Sequence, residues 1–156
     1  MDQEQTELSE KIFNSSSLVL AEHGGVAPVF FIVKDKGLNP IVGVTDFTIQ
    51  ELANQAVNTA HEMNADAIIL VCEQWMIKMD KNDERLKDYI DGNKRPSESS
   101  LAEEYLTLTH MTKVGEASSL IGKIHTSPNG VKYVRESSWI NDTVTNMITP
   151  WAEWDL

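Results

Sequence analysis

The feature that most constrains this chain is the unbroken apolar run from Ala67 to Cys72, which continues to Met79 as an alternating segment. A short apolar run that is rich in β-branched residues is typical of a strand covered on both faces. Beyond Cys72 the alternation places Glu73 and Trp75 together on one side of the strand. We therefore predict one long strand over the whole segment, central in its first half and running toward solvent in its second half.

Two helices are predicted before this strand. Residues 5–22 carry apolar side chains at helical spacing, and Gly24 ends the stretch, as glycine commonly does just past a helix. The second helix runs to about Asn64 and keeps its apolar residues close to a single face. Its predicted N-cap is Asp46, with Thr45 as the alternative.

The other strands are predicted from β-branched and aromatic composition and from the turn residues that separate them. Asn129-Gly130 is a hairpin signal, because this pair is favoured where both φ values are positive. The further predicted strands are 26–34, 38–45, 103–114, 117–126 and 131–136. Short turns between strands indicate a largely antiparallel sheet. The predicted fold class is α+β: two layers, with about six strands and the two main helices on one face.

The length of 156 residues fits a single domain, 1–156. Two segments depart from the regular pattern. The first is a polar excursion at 80–102, in which a short helix over 82–91 is predicted, and the second is an aromatic C-terminal tail at 139–156. Connections as long as the first are often functional or mobile.

The charge balance is acidic, with 13 Lys and Arg against 24 Asp and Glu, which gives a net charge of −11. Nucleic acids and anionic membranes are bound by clustered Lys and Arg, so we expect neither as a direct partner. We expect instead a protein with a basic surface or a small-molecule ligand. A polar, acidic N-terminal segment and a single cysteine, Cys72, favour a cytoplasmic location.

Glu73 is the leading candidate for acid–base chemistry. A buried carboxylate must be paired or protonated, and its candidate partners on later strands are Arg135, Lys123, Tyr133 and Tyr105. In a catalytic role Glu73 would be assisted by Tyr105, His110 or Arg135. The competing interpretation is a structural ion pair or an exposed strand end. The motifs of zinc proteases, phosphate-binding loops, dinucleotide folds and serine hydrolases do not occur in the chain. We therefore predict neither a metal site nor a cofactor.

Two further groups of residues are candidates for binding. Arg95, Ser97 and Glu98 lie in the polar excursion, where a guanidinium, a hydroxyl and free backbone amides suit a phosphate-bearing ligand or a partner chain. Trp151 and Trp154 lie in the C-terminal tail. They are predicted either to pack back on the domain or to form a surface for a partner.

Several short motifs occur in one order along the chain. They are the strand end Glu73-Gln74-Trp75-Met76, the loop Arg95-Pro96-Ser97-Glu98, the string Glu104-Tyr105-Leu106, the string Gly122-Lys123-Ile124 and the turn Asn129-Gly130. Over roughly residues 65–135 they resemble a family of small uncharacterised proteins of bacteria and their phages. The resemblance implies no activity and no site residues. It implies that the Glu73–Trp75 strand end and the loop at 96–98 form one shared surface.

Three functions follow from these observations. The favoured one is a non-enzymatic acidic binding protein, in the form of a phage- or mobile-element-encoded inhibitor of a host factor or of a sponge for a small ligand, with homo-oligomers expected. The first alternative is a small enzyme that uses Glu73 as general acid or base. The second alternative is a structural or assembly protein.

Overall fold

A computed structural model describes residues 1–42, 48–77, 82–94, 102–141 and 151 of this chain. Its elements are α1 (Gln3–His23), β1 (Val29–Lys34), β2 (Gly37–Val42), α2 (Ile49–Met63), β3 (Ala67–Met76), α3 (Leu86–Ile90), β4 (Glu103–Thr112), β5 (Ala117–Thr126) and β6 (Lys132–Asn141). Within these ranges no helix has both the length and the apolar character needed to cross a membrane.

The strands form one six-stranded sheet in the order β2-β1-β3-β4-β5-β6, and every neighbouring pair is antiparallel. The predicted α+β class and the predicted number of strands are therefore confirmed. β3, the strand that holds the apolar run, is bonded to β1 on one side and to β4 on the other. The last strand continues to Asn141, five residues beyond its predicted end at 136.

The two long helices lie on opposite faces of the sheet. Ile68 and Leu70 of β3 pack in one apolar cluster with α2, whereas Ile69 and Val71 pack in a second cluster with α1. Successive side chains of a strand point to opposite faces, so each helix covers a different face. The prediction of two layers with both helices on one face is wrong, because both faces of β3 are apolar and each needs a cover. We call them the α1 face and the α2 face.

The ends of both helices follow ordinary capping chemistry. Asp2 caps α1 by accepting a hydrogen bond from the Gln5 amide at 2.8 Å, and Gly24 ends that helix with a φ of 74°. Thr48 caps α2, with its Oγ1 3.1 Å from the Glu51 amide nitrogen. The helix therefore begins after the predicted cap at Asp46, which lies outside the described residues.

The predicted hairpin between β5 and β6 is present. The Gly130 amide donates to the Ser127 carbonyl at 2.9 Å, which closes the turn. Gly130 has a φ of 84°, but Asn129 is not among the described residues with positive φ. The turn is therefore not the type in which both residues of the Asn-Gly pair are left-handed, and only the glycine needs that freedom.

Candidate functional site

A surface pocket of about 560 Å³ lies where the start of β4 meets the end of β5 and the middle of β6. This volume falls within the range of roughly 300–1,000 Å³ that is usual for small-molecule sites. We call it the Arg135 pocket. Its lining includes Glu103, Tyr105, Lys123, His125, Arg135 and Ser138. Cationic, aromatic and hydroxyl groups thus line one concave surface together with the carboxylates of Glu103 and Glu136.

The register of β5 against β6 places two aromatic rings side by side in this pocket. His125 is directly opposite Tyr133, and their rings stack with centroids 5.4 Å apart and an angle of 25° between the planes. Such cross-strand aromatic pairs are a common way of stabilising a sheet. Arg135 lies two residues further along β6, and its Nη2 donates to the Tyr133 hydroxyl at 3.5 Å. The pocket therefore has a guanidinium next to a stacked pair of aromatic rings, of which His125 lines the pocket.

A β-bulge lies at the position of Arg135. Gly122 is opposite Ser137 while Ile124 is opposite Val134, so β6 carries one more residue than β5 over this interval. A bulge of this kind bends the strand and changes the direction of its side chains. Arg135 lies within this interval, and because it is two residues from Tyr133 it shares the face of Tyr133 by the ordinary alternation of a strand.

Gly122 is needed at this bulge because nearby atoms leave no room for a side chain. An added Cβ would lie 2.4 Å from Val134 Cγ1 and 3.1 Å from Phe13 Cζ. Phe13 belongs to α1, so the helix on the α1 face packs directly against the strand that carries the pocket. The bulge and the helix are thereby fixed together.

The other cations around the pocket are paired with carboxylates. Lys123 Nζ lies 3.1 Å from Glu103 Oε2, and Lys132 Nζ lies 3.5 Å from Glu104 Oε2. Arg135 is exposed, and in the described part of the chain it has no carboxylate partner. It is therefore the cation of this region that is open to an external anion.

No family model, curated protein or solved structure matches this chain. The resemblance drawn from short motifs stays a prediction, and its loop at 96–98 lies outside the described residues. Among the residues that the structure describes, no group of three or more His, Cys, Asp and Glu side chains could hold a metal ion. The site must therefore be interpreted from its own chemistry.

The three catalytic candidates do not converge. Glu73 is opposite Leu106 in the sheet, while Tyr105 is opposite Gln74, so Glu73 and Tyr105 lie on different faces. His110 shares the face of Glu73 but lies four residues beyond Leu106, a separation of about 13 Å along the strand. The expected meeting of Glu73 with Tyr105 or His110 is wrong. A shift of one residue in register decides the face of every side chain, and the sequence did not specify the register of β4.

Glu73 and Trp75 lie together on the α1 face, beyond the end of α1. Glu73 Oε1 is buried without a hydrogen-bond partner, and a Cβ on Gly25 would lie 4.0 Å from it. Trp75 is 49% exposed. The predicted proximity of these two residues is therefore present. Arg135, one of the partners proposed for Glu73, is on the α2 face with Tyr133 and cannot reach it.

His110 is a buried residue on the α1 face, with 2% of its surface exposed. Burial and, to a smaller extent, the positive amino terminus lower the pKa of His110 from 6.5 to about 4. The imidazole is therefore neutral at pH 7 and is a weak base. Its chemistry is that of a hydrogen-bonding group.

Trp151 packs back on the domain, which was one of the two expectations for the C-terminal tail. Its side chain is 2% exposed and belongs to the apolar cluster of the α2 face. Its backbone amide donates to the Lys113 carbonyl at 3.0 Å. A residue so deeply buried has no surface to offer a partner, so its place in the predicted binding set is wrong.

The remaining binding candidates, Arg95, Ser97, Glu98 and Trp154, lie outside the described residues. Of the whole predicted set, the structure brings Tyr105 and Arg135 into one pocket and Glu73 and Trp75 into another region. The sequence analysis missed His125 as a site residue. The hairpin at 127–130 was the available signal, because pairing around that turn places His125 opposite Tyr133.

Proposed function

We propose that this chain is a non-enzymatic binding protein that holds a small anionic ligand with a planar ring in the Arg135 pocket. The observation that carries the proposal is Arg135 itself, an exposed guanidinium without a carboxylate partner among the described residues. A guanidinium presents a planar fork of donors that matches carboxylate and phosphate oxygens. Glu136 also lines the pocket, so an anionic group would be held there by direct bonding to the Arg135 guanidinium and not by a net positive charge of the lining.

The aromatic side chains support the second part of the proposal. His125 lines the pocket with its ring stacked on that of Tyr133 next to Arg135, and aromatic rings bind planar ligands by stacking. The Tyr105 hydroxyl donates to Glu103 Oε2 at 3.4 Å. The Lys123–Glu103 pair then limits the anion to one place, because Lys123 already has its counter-charge. Together these groups favour one anionic group with one ring beside it.

The enzyme alternative loses its support from the separation of Glu73, Tyr105 and His110. A general acid or base must lie within hydrogen-bonding reach of the group that it serves, directly or through one water. With Glu73 and Tyr105 on opposite faces, no single substrate position satisfies both. Binding is therefore the function that we propose, and a catalytic role for Glu73 is not part of it.

Two broader features of the proposal come from the sequence. The protein is proposed to act in the cytoplasm, which is consistent with Cys72 as a free and buried thiol. Its net charge of −11 also suits a basic protein partner, including a host factor that a phage-encoded inhibitor would bind. A homo-oligomer remains part of the proposal, and each of these possibilities gives a distinct mass in the experiment below.

The experiment is native mass spectrometry of the full chain purified from the cytoplasm of the cells that produce it. We expect a retained small anion with the wild-type protein, and its loss in the Arg135→Ala variant. Arg85→Ala is the matched control, because it removes the same charge from a guanidinium that is already bound to Asp83 Oδ2 at 2.8 Å. The control should keep the ligand.

Three outcomes contradict the proposal. A wild-type chain without any small ligand removes its basis, and a ligand that stays on Arg135→Ala places the site elsewhere. A retained basic protein in place of a small molecule favours the inhibitor function. The same spectra give the number of chains in the particle.

A further inference from the structure

A second pocket, of about 580 Å³, lies under the first turns of α1 and against the ends of β4, β5 and β6 near the β4–β5 turn. We call it the His110 pocket. Its lining includes Thr6, His110, Glu116, Ser118, Trp139 and Asn141. His110 is on the α1 face and at the opposite end of β4 from Tyr105. The two pockets are therefore separate sites.

His110 contributes a buried hydrogen-bonding atom to this pocket. Its Nε2 is buried and has no hydrogen-bond partner within the described parts of the chain. In a neutral imidazole one ring nitrogen donates and the other accepts, and a hydroxyl group can pair with either. Buried polar atoms are almost always paired, so Nε2 is a candidate contact for a hydroxyl of a ligand.

Ser9 provides a second unpaired atom in the same layer between α1 and the sheet. It is 0% exposed, and its Oγ has no hydrogen-bond partner among the residues that the structure describes. A helical serine usually bonds to the carbonyl four residues earlier, as Ser16 does to Ile12 at 2.8 Å. Ser9 lies one helical turn beyond Thr6, which lines the pocket. Two orphan polar atoms thus lie in the layer next to this one cavity.

The lining of the His110 pocket is polar and carries little charge. Ser118 Oγ donates to Asn141 Oδ1 at 3.3 Å, which leaves the amide hydrogens of Asn141 available. Trp139 Nε1 donates to Glu10 Oε1 at 3.2 Å, so the indole is held in one orientation. Apart from the amino terminus, the described lining has no cationic group, and Glu116 is its one carboxylate. The amino terminus and Glu116 leave this described lining close to neutral, so an uncharged ligand suits it better than an anion.

We propose that the His110 pocket is a second binding site, which takes a neutral cyclic polyhydroxy compound. One hydroxyl of the ligand pairs with His110 Nε2, others bond to Ser118 and Asn141, and the apolar face of the ligand ring lies against Trp139. Hydroxyls that both donate and accept satisfy a lining of this kind, and an indole face is the usual support for a saturated ring. The proposal does not depend on the Arg135 pocket.

The test is an NMR titration of the full chain labelled with 15N in the histidine rings. The probes are D-glucose and myo-inositol, with inorganic phosphate as the charged comparison. We expect one of the two polyols to shift the Nε2 resonance of His110 in a saturable manner at millimolar concentration. The resonances of His125, which lies in the other pocket, are the internal control and should not move. Phosphate should leave the His110 signal unchanged.

Variants at the mouth of the pocket keep the proposal testable if a change at the buried His110 prevents folding. Asn141→Ala removes one hydrogen bond from an exposed position and should weaken polyol binding about tenfold. Arg135→Ala should leave polyol binding unchanged. The proposal is overturned if neither polyol moves the His110 resonance, if phosphate alone moves it, or if Asn141→Ala binds as tightly as the wild type.

Discussion

His61 Nδ1 lies 2.8 Å from the backbone carbonyl oxygen of Trp151, a residue 90 positions later in the chain. A carbonyl can only accept, so Nδ1 carries the proton of this bond. The bond joins α2 to a residue whose indole is already packed among the side chains beneath that helix. Trp151 is thus held by its backbone at two points and by its side chain at a third.

We predict that Trp151→Ala lowers the free energy of unfolding by about 3–5 kcal/mol, because it empties a large buried volume. Trp75→Ala is the matched control, since Trp75 is 49% exposed and its loss should change stability by about 0.5 kcal/mol or less. Urea denaturation followed by far-UV circular dichroism measures both. Equal losses in the two variants would show that Trp151 contributes no more than a surface residue.

We predict that His110 makes the protein less stable in mild acid. Its pKa falls from 6.5 in the unfolded chain to about 4 in the folded state, so the unfolded chain binds the proton more tightly. The free energy of unfolding should therefore drop by about 3 kcal/mol as the pH falls from 6.5 to 4. Asp2, Glu116 and the amino terminus lie around this histidine and will modify the curve.

The measurement is chemical denaturation at a series of pH values for the wild type and for His110→Gln. The variant should lack this part of the acid loss, while the loss from carboxylates stays common to both proteins. His23→Gln, at an exposed position, is the control and should follow the wild type. Parallel curves for wild type and His110→Gln would refute the prediction.

We predict that Gly122→Ala destabilises the fold by about 1–3 kcal/mol, the usual cost of overpacking. The new Cβ would lie 2.4 Å from Val134 Cγ1 and 3.1 Å from the backbone oxygen of Glu136. Adding Val134→Ala should recover part of the loss, because it removes the nearest of the obstructing atoms. Gly25→Ala serves as control, since its closest neighbour would be 4.0 Å away. Absence of any rescue in the double variant would place the strain elsewhere.

We predict that Tyr133→Ala lowers the affinity of the Arg135 pocket for its ligand about tenfold, because losing an aromatic stacking contact costs about 1–3 kcal/mol. Tyr133→Phe keeps the ring and removes only the hydroxyl that accepts from Arg135 at 3.5 Å, so it should bind nearly as well. Isothermal titration with the ligand identified by mass spectrometry gives both affinities. Identical weakening in the two variants would indicate that the hydroxyl, and not the ring, makes the contact.

Local patterns were sufficient to predict the elements of this fold. The apolar run at 67–72 marks β3, and the Asn129-Gly130 turn marks the last hairpin. The same run also indicated a strand with both faces covered, yet the short turns elsewhere favoured a two-layer arrangement. Which face a helix covers depends on the tertiary path of the chain between helix and strand, and no local pattern records it.

The candidate site was predicted less well for the same reason. Tyr105 and Arg135 were named from the sequence and line one pocket, but their association with Glu73 required a register that the chain does not adopt. The significance of His110 depends on its burial beneath α1, a contact between residues about 100 positions apart. A lone histidine in a strand gives no indication of such a contact.

β3 is bonded to a strand on each side and covered by a helix on each face. An amide in that position meets solvent only when the whole sheet separates, because no local opening exposes it. The backbone amides of Ile68 and Ile69 should therefore be the slowest of the chain to exchange with deuterium. Their exchange rates give the free energy of global unfolding without any denaturant, and so provide one reference for every variant described above.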